Sequence, residues 1–216
     1  MPDPDAERAR RKYARLARRY DVSLAVLQPW LSRYRRGAVD SLELRPGETV
    51  LDVGAGTGAS LELLAAGVGP EGRVVAIEPS EAMLDAARRR VDAAGLRNVE
   101  FRHTTAQDAA GLPTADAALF FLTHDIVRSP DAIERVFGSL RPGARVATFG
   151  AKEGGPPPVR AVMRRFTARF VTTLEGLDAP WEFVTPRLEG VQIQSLGFDQ
   201  AYLATGRVAG RAPAGT

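Results

Sequence analysis

Two carboxylates sit at the ends of two short apolar runs. Asp52 lies within Val50-Leu51-Asp52-Val53, just ahead of Gly54-Ala55-Gly56-Thr57-Gly58, and Glu78 follows Val74-Val75-Ala76-Ile77 and precedes Pro79-Ser80. An acid at the mouth of a sheet can meet a cationic ligand, and an acid after the second strand can accept both hydroxyls of a ribose. The intervening glycines let backbone approach a ligand where a side chain would block it. Ser60, Leu61, Leu63 and Leu64 then follow a helical pattern. Free N–H groups at that helix start suit a carboxylate or phosphate. The series reads as a cradle for a nucleotide-type cofactor. A third chemical group is His124-Asp125, at the end of the apolar run Ala115 to Leu122. The histidine is a candidate general base, and the aspartate a candidate to orient it or the substrate.

The glycines alone leave two cofactors open. Gly54, Gly56 and Ala59 satisfy G-x-G-x-x-G/A, so a NAD(P)-dependent oxidoreductase is the alternative. Two details favour the other choice. Asp52 stands where a dinucleotide strand is normally apolar, and Gly58 extends the loop to G-x-G-x-G. With these motifs the chain resembles the class I S-adenosylmethionine-dependent methyltransferases: Asp52 to Gly58 matches the first motif and Ile77-Glu78-Pro79-Ser80 the second. Val99 to His103, Ala115 to Leu122 and Leu140 to Ala147 follow in the order of the third, fourth and fifth strands.

The resemblance implies S-adenosyl-L-methionine as methyl donor and S-adenosyl-L-homocysteine as product. Gly54, Ala55, Gly56 and Gly58 would meet the methionine part and ribose through backbone. Asp52 would lie near the ammonium and Glu78 would hold the ribose hydroxyls. Pro79 or Met83 would flank the adenine, and Tyr20 and Leu122 complete the expected contacts. The family often has an acid after the third strand for the adenine amino group; here that position is Thr105, followed by Ala106, whose N–H is the companion contact. No Asn-Pro-Pro-Tyr-type tetrapeptide follows the fourth strand. The pattern is similar to bacterial small-molecule members acting on quinones, phospholipids or secondary metabolites. It implies in-line transfer to a small, partly apolar metabolite. A fold relative without transfer activity, serving as a cyclase or binding subunit, is a further alternative.

The expected fold is α/β: a Rossmann-like, doubly wound, seven-stranded sheet, mostly parallel with an antiparallel C-terminal hairpin strand, plus an N-terminal helical lid. Residues 1–40 are expected as the helical cap, 41–208 as the cofactor-binding domain and 209–216 as a disordered Gly/Pro/Ala tail. The cap is expected as two helices over Asp5–Arg36, broken near Asp21 and Pro29. Other helices are expected near Thr57–Ala66, Ser80–Ala94, Ser129–Leu140 and Val159–Thr173, and a closing hairpin from Val191–Ser195 and Gln200–Thr205. Aromatic residues Tyr13, Tyr20, Trp30, Tyr34, Phe166, Phe170 and Trp181 are divided between a substrate cover and the core.

Composition narrows the class. The chain has 216 residues, no cysteine, two histidines and a net charge of +3. Disulfides, thiolate metal sites and cysteine nucleophiles are excluded, and no metal is expected. No apolar run is long enough to span a membrane, and the charged N-terminus lacks a signal-peptide core, so a cytoplasmic protein is expected. Arginines crowd Arg8 to Arg19, and Arg33, Arg35 and Arg36 follow. Their expected role is a solvated helical face, with nucleic acid an unlikely partner and a homodimer a possible assembly.

Overall fold

The computed structural model describes residues 28–158, 160, 164–165 and 174–210. Its elements run α1 (Gln28–Asp40), β1 (Thr49–Val53), α2 (Leu61–Val68), β2 (Arg73–Ile77), α3 (Glu81–Ala93), β3 (Val99–Arg102), β4 (Ala115–Phe121), α4 (His124–Val127), α5 (Pro130–Phe137), β5 (Leu140–Ala151), β6 (Leu188–Leu196) and β7 (Ala201–Val208). The sheet order is β3-β2-β1-β4-β5-β7-β6. β1 to β5 pair in parallel; β7 runs antiparallel to β5, and β6 antiparallel to β7. The strand order reverses between β1 and β4, and ligands of such sheets bind outside the carboxyl ends of the strands at that point.

The core lies on both faces. On one, Val50, Val74, Ala76, Leu119 and Phe149 pack with Leu31, Ala38, Val39 and Leu42 of the α1 region, Leu64 of α2 and Ala87 of α3. On the other, Leu51, Val53, Val75 and Phe120 meet Ile133 and Val136 of α5. Strands covered on both sides read as continuous apolar runs, which is why β1, β2 and β4 stand out in the sequence.

Several boundaries move. α1 passes through Pro29 and ends at Asp40, not near Arg36. Proline in a first turn costs no hydrogen bond, because the N–H it lacks would have no partner there. The rest of the expected cap lies outside the described residues, as does nearly all of the helix expected over Val159–Thr173. α2 begins at Leu61 instead of Thr57, because Gly58 takes positive φ and a right-handed helix cannot include it. α5 ends at Phe137, short of Leu140. Pro142 and Gly143 form a bulge within β5, where its register against β4 shifts. α4 was not expected at all.

Arg35 overturns part of the charge reading. Leu31, Arg35, Ala38, Val39 and Leu42 repeat at helical spacing and are all buried, while Arg33 and Arg36 are exposed. One of the three arginines therefore belongs to the core-facing stripe, not to a solvated face. Tyr34 stacks on Phe149 with ring centroids 5.4 Å apart, so it packs into the core, and Trp30 meets Tyr34 edge-on at 4.4 Å while remaining partly exposed.

The loop glycines differ in purpose. A Cβ at Gly58 would lie 2.9 Å from both Ala87 Cβ and Leu61 Cδ1, whereas one at Gly56 would meet nothing within 4 Å among the described residues. Gly58 thus lets α2 lie against α3, and Gly56 faces open space. Gly58→Ala should destabilise the fold by about 2–4 kcal/mol, adding left-handed strain to overpacking, and Gly56→Ala by only about 1–2 kcal/mol from strain alone. Urea unfolding of the two variants checks the order; equal losses would refute it.

Candidate active site

The β1 tip is tied to β2 by backbone. Gly54 and Ala55 N–H both donate to the Ile77 carbonyl, at 2.8 and 3.0 Å, and Gly58 N–H donates to Ala55 O at 2.9 Å. The glycine loop therefore hangs beside the end of β2, where Glu78 is. The Glu78 carboxylate closes across the loop. Gly56 N–H donates to Oε2 at 3.0 Å and Ser80 N–H to Oε1 at 2.9 Å. Burial pushes its pKa up, opposed by those two N–H groups and by His103. His103 itself contacts Pro79 O through Nε2 at 3.1 Å and approaches Glu81 through Nδ1.

Asp52 has the same burial without the same satisfaction. It is 2 % exposed, and its Oδ2 has no hydrogen-bond partner among the described residues. Burial pushes its pKa up to about 7, against the pull of the Arg35 guanidinium and with the push of Glu78. A buried carboxyl oxygen without a donor costs free energy unless a ligand supplies one. The requirement fits a group with an ammonium at one end. Buried Thr123 Oγ1 also lacks a partner among the described residues, and Thr123 Cγ2 would be 2.6 Å from a Cβ at Gly54. The open space at Gly56 fits a ligand draped over bare backbone. The residues present thus fit S-adenosylmethionine.

Other expected contacts are arranged as follows. Met83 and Ala106 are buried and Pro79 is half-buried. The Thr105 hydroxyl donates to Asp108 Oδ2 at 2.6 Å and accepts from Asp108 N–H at 3.2 Å. It is engaged in a local turn, and the turn brings a carboxylate to this corner from three residues on. Leu122 takes φ 59°, in the left-handed region that a residue with a Cβ rarely adopts, while its N–H donates to Phe149 O at 2.8 Å. The kink ends β4 and turns the chain into α4. Tyr20 lies outside the described residues, with Tyr13, Phe166 and Phe170. Trp181 packs edge-on against Tyr202 at 5.1 Å, as a core contact.

His124 opens α4 and is buried. Its Nε2 lies 3.1 Å from the Glu175 carbonyl, which can only accept, so Nε2 carries the proton and Nδ1 holds the lone pair. Nδ1 is buried, with no hydrogen-bond partner among the described residues. Burial lowers the pKa, against the pull of Asp125, so the ring is neutral at pH 7. The bond that orients the ring thus comes from a distant backbone carbonyl. Neither it nor the Arg35 guanidinium was legible as a site feature in the sequence, because both depend on tertiary placement.

Residues 50–143 match the family model described as "Methyltransferase domain". A demethylmenaquinone methyltransferase of Symbiobacterium thermophilum is 29 % identical over 186 residues, which is 82 % of this chain and 71 % of that protein. An arsenite methyltransferase of Halobacterium salinarum is 36 % identical over 120 residues, 53 % of this chain and only 30 % of that protein. Among solved structures, the N-methyltransferase NodS of Bradyrhizobium japonicum in complex with S-adenosyl-L-homocysteine superposes with a TM-score of 0.60 at 20 % identity, covering 82 % of this chain and 87 % of that one. The glycine loop, the two strand-end acids and these relatives define a Rossmann-like S-adenosylmethionine-dependent methyltransferase. Residues 50–143 carry the methyltransferase domain of that family model. The oxidoreductase alternative gives way to that assignment. No helix of the described residues is long and apolar enough to cross a membrane, and no His/Cys/Asp/Glu cluster among them is arranged to hold a metal.

The Asp52 carboxyl yields a signed prediction. Folded, it keeps its proton up to about pH 7; unfolded, it releases it near 3.8. A raised folded pKa contributes stability at low pH that is lost as pH climbs, at about 1.4 kcal/mol per pH unit between about 4 and 7. Asp52→Asn, which does not titrate, should therefore gain stability relative to the wild type across that window and level off above it. Denaturant titrations of both proteins without ligand check this; a difference independent of pH would contradict it.

Proposed function

We propose that the chain moves the methyl group of S-adenosylmethionine to a small, partly apolar metabolite by in-line displacement. The observation that carries this reading is the unsatisfied Oδ2 of buried Asp52, beside a glycine loop whose middle residue faces open space. When bound, the donor supplies an electrophilic methyl on a sulfonium, so alignment of the acceptor can supply much of the barrier reduction. Asp52 takes the ammonium. Gly54, Ala55, Gly56 and Gly58 present backbone to the methionine part and ribose. Glu78, already held by Gly56 and Ser80 N–H, turns its remaining lone pairs to the ribose hydroxyls. Pro79 and Met83 flank the adenine, and the Thr105-Ala106 turn, with Asp108, receives its amino edge. Leu122 and Tyr20 belong to the same contact set.

His124 is the base of this reading, with Asp125 next to it. An acceptor that loses a proton on methylation needs one, and Nδ1 of a neutral, tautomer-fixed imidazole can take it. The relatives named as demethylmenaquinone methyltransferases support an apolar, quinone-like or lipid-like acceptor, with secondary metabolism the wider setting. The cytoplasm is the compartment of the proposal. A homodimer is part of it too, supported by the apolar side chains Val191 and Ile193 left exposed on β6 and by Phe198, 90 % exposed in the hairpin turn.

Titration calorimetry with S-adenosylhomocysteine tests the reading. The wild type should bind saturably and should not bind NADH. Glu78→Gln, which keeps the shape and removes the charge, should weaken binding about 10- to 100-fold, the range of hydrogen bonds to a charged group. No binding by the wild type would overturn the function, and an unchanged affinity in Glu78→Gln would remove the ribose contact.

A further inference from the structure

β6 is the outer strand of the sheet and pairs with β7 on one side. Every residue from 189 to 195 is exposed, so no described element covers either face of that stretch. The pairing with β7 shifts between Glu189 and Gln192, around Gly190 at φ 62°. Past this bulge, Gln192 to Leu196 pair in unbroken register. Natural edge strands are blocked by lysine, proline or an inward charge. The run Val191-Gln192-Ile193-Gln194-Ser195-Leu196 has none of these. Opposed residues of an antiparallel pair share a face, so Ile193 and Ser195 lie with Ala204 and Tyr202, and Gln192 and Gln194 with Thr205 and Leu203. Val191 and Ile193 stay 37 % and 42 % exposed.

We infer that β6 pairs antiparallel with β6 of a second copy, about a two-fold axis at Ile193, and joins two seven-stranded sheets into one. The inference deepens the homodimer of the proposed function. An axis normal to the sheet keeps each face on its own side, so the centre must fall on a residue. A centre at Gln192 would draw the Gly190 bulge into the ladder, and one at Gln194 would leave Val191 without a counterpart. At Ile193, that residue faces its own mate, Val191 faces Ser195 and Gln192 faces Gln194. The valine and isoleucine side chains of the two copies then meet directly or on the diagonal. The stretch carries no charge, so no like charges are opposed. Leu196 faces Gly190, and Phe198, 90 % exposed, stands two residues further on. A Cβ at Gly190 would meet nothing within 4 Å among the described residues, so each Phe198 meets bare backbone on the other copy. Two phenylalanine side chains bring roughly 300–500 Å² of the about 1,000 Å² that a specific interface needs, and the paired strands supply the rest. The axis reverses the second sheet, so the two cofactor sites open at opposite edges and share no residue.

Sedimentation velocity and cysteine cross-linking test the pairing. The wild type should sediment as a dimer at micromolar concentration. Ile193→Arg, at an exposed position, should sediment as a monomer and bind S-adenosylhomocysteine within about two-fold of the wild type, because the sites are distant. The chain has no cysteine, so a disulfide in Ile193→Cys joins position 193 to its mate. Directly opposed strand residues lie about 4.5–5.5 Å apart at Cα, inside the range a disulfide spans. Mild oxidation should yield a covalent dimer of Ile193→Cys and leave Gln194→Cys uncrosslinked, since position 194 is offset from its mate by two residues. A monomeric wild type, a dimer that survives Ile193→Arg, or equal cross-linking of the two cysteine variants would overturn the inference. Sedimentation reads the assembly and calorimetry reads the cofactor site. Wild-type protein that dimerises through position 193 but binds no S-adenosylhomocysteine would uphold the pairing and refute the methyltransferase reading alone.

Discussion

The site depends on a carboxylate placed where a carboxylate is least comfortable. Asp52 sits inside a parallel strand covered on both faces, with one oxygen lacking any donor among the described residues. A hydrophobic residue there would cost nothing and would continue the apolar run on either side. The fold retains an acid, and burial drives its proton affinity far above that of an exposed aspartate. Such a group favours whatever brings a positive charge to the β1 tip.

The neighbouring acid is handled differently. Glu78 is also buried, yet both of its oxygens accept backbone N–H groups, one from the glycine loop and one from the start of α3. It ties the glycine loop after β1 to the start of α3. The two carboxylates thus differ: Glu78 is held by backbone N–H groups, and Asp52 Oδ2 has no donor among the described residues. The glycines show a similar division, since Gly58 serves helix packing and Gly56 keeps a surface bare. Leu122, with its positive φ, and the tethered His124 lead β4 into α4, whose Ile126 lies with Thr123 against Gly54.

Much of this was written locally. Strands buried on both faces announce themselves as unbroken apolar runs, and Asp52 and Glu78 stand out because they interrupt or end such runs. The double winding followed from the handedness of the crossovers, and the seven mostly parallel strands from the resemblance. What stayed hidden depends on distant residues. Arg35 reads as one of three arginines on a helix until α1 is packed on Phe121 and Phe149. His124 reads as a strand-end base until the Glu175 carbonyl, 51 residues away, fixes its tautomer. α2 starts beyond the expected Thr57 because Gly58 takes positive φ, a backbone fact that residue type alone does not settle. Thr105 looked like a weakened adenine contact, and its turn with Asp108 emerged only in three dimensions.

The most direct measurement is a carbon-13 NMR titration of the Asp52 side-chain carboxyl, assigned by comparison with Asp52→Asn, with and without S-adenosylhomocysteine. Without ligand the carboxyl should titrate near 7. With ligand bound, the ammonium should hold it ionised well into the acid range. A titration curve that does not move when the ligand binds would contradict the account, because Asp52 would then be a buried acid that the cofactor never meets.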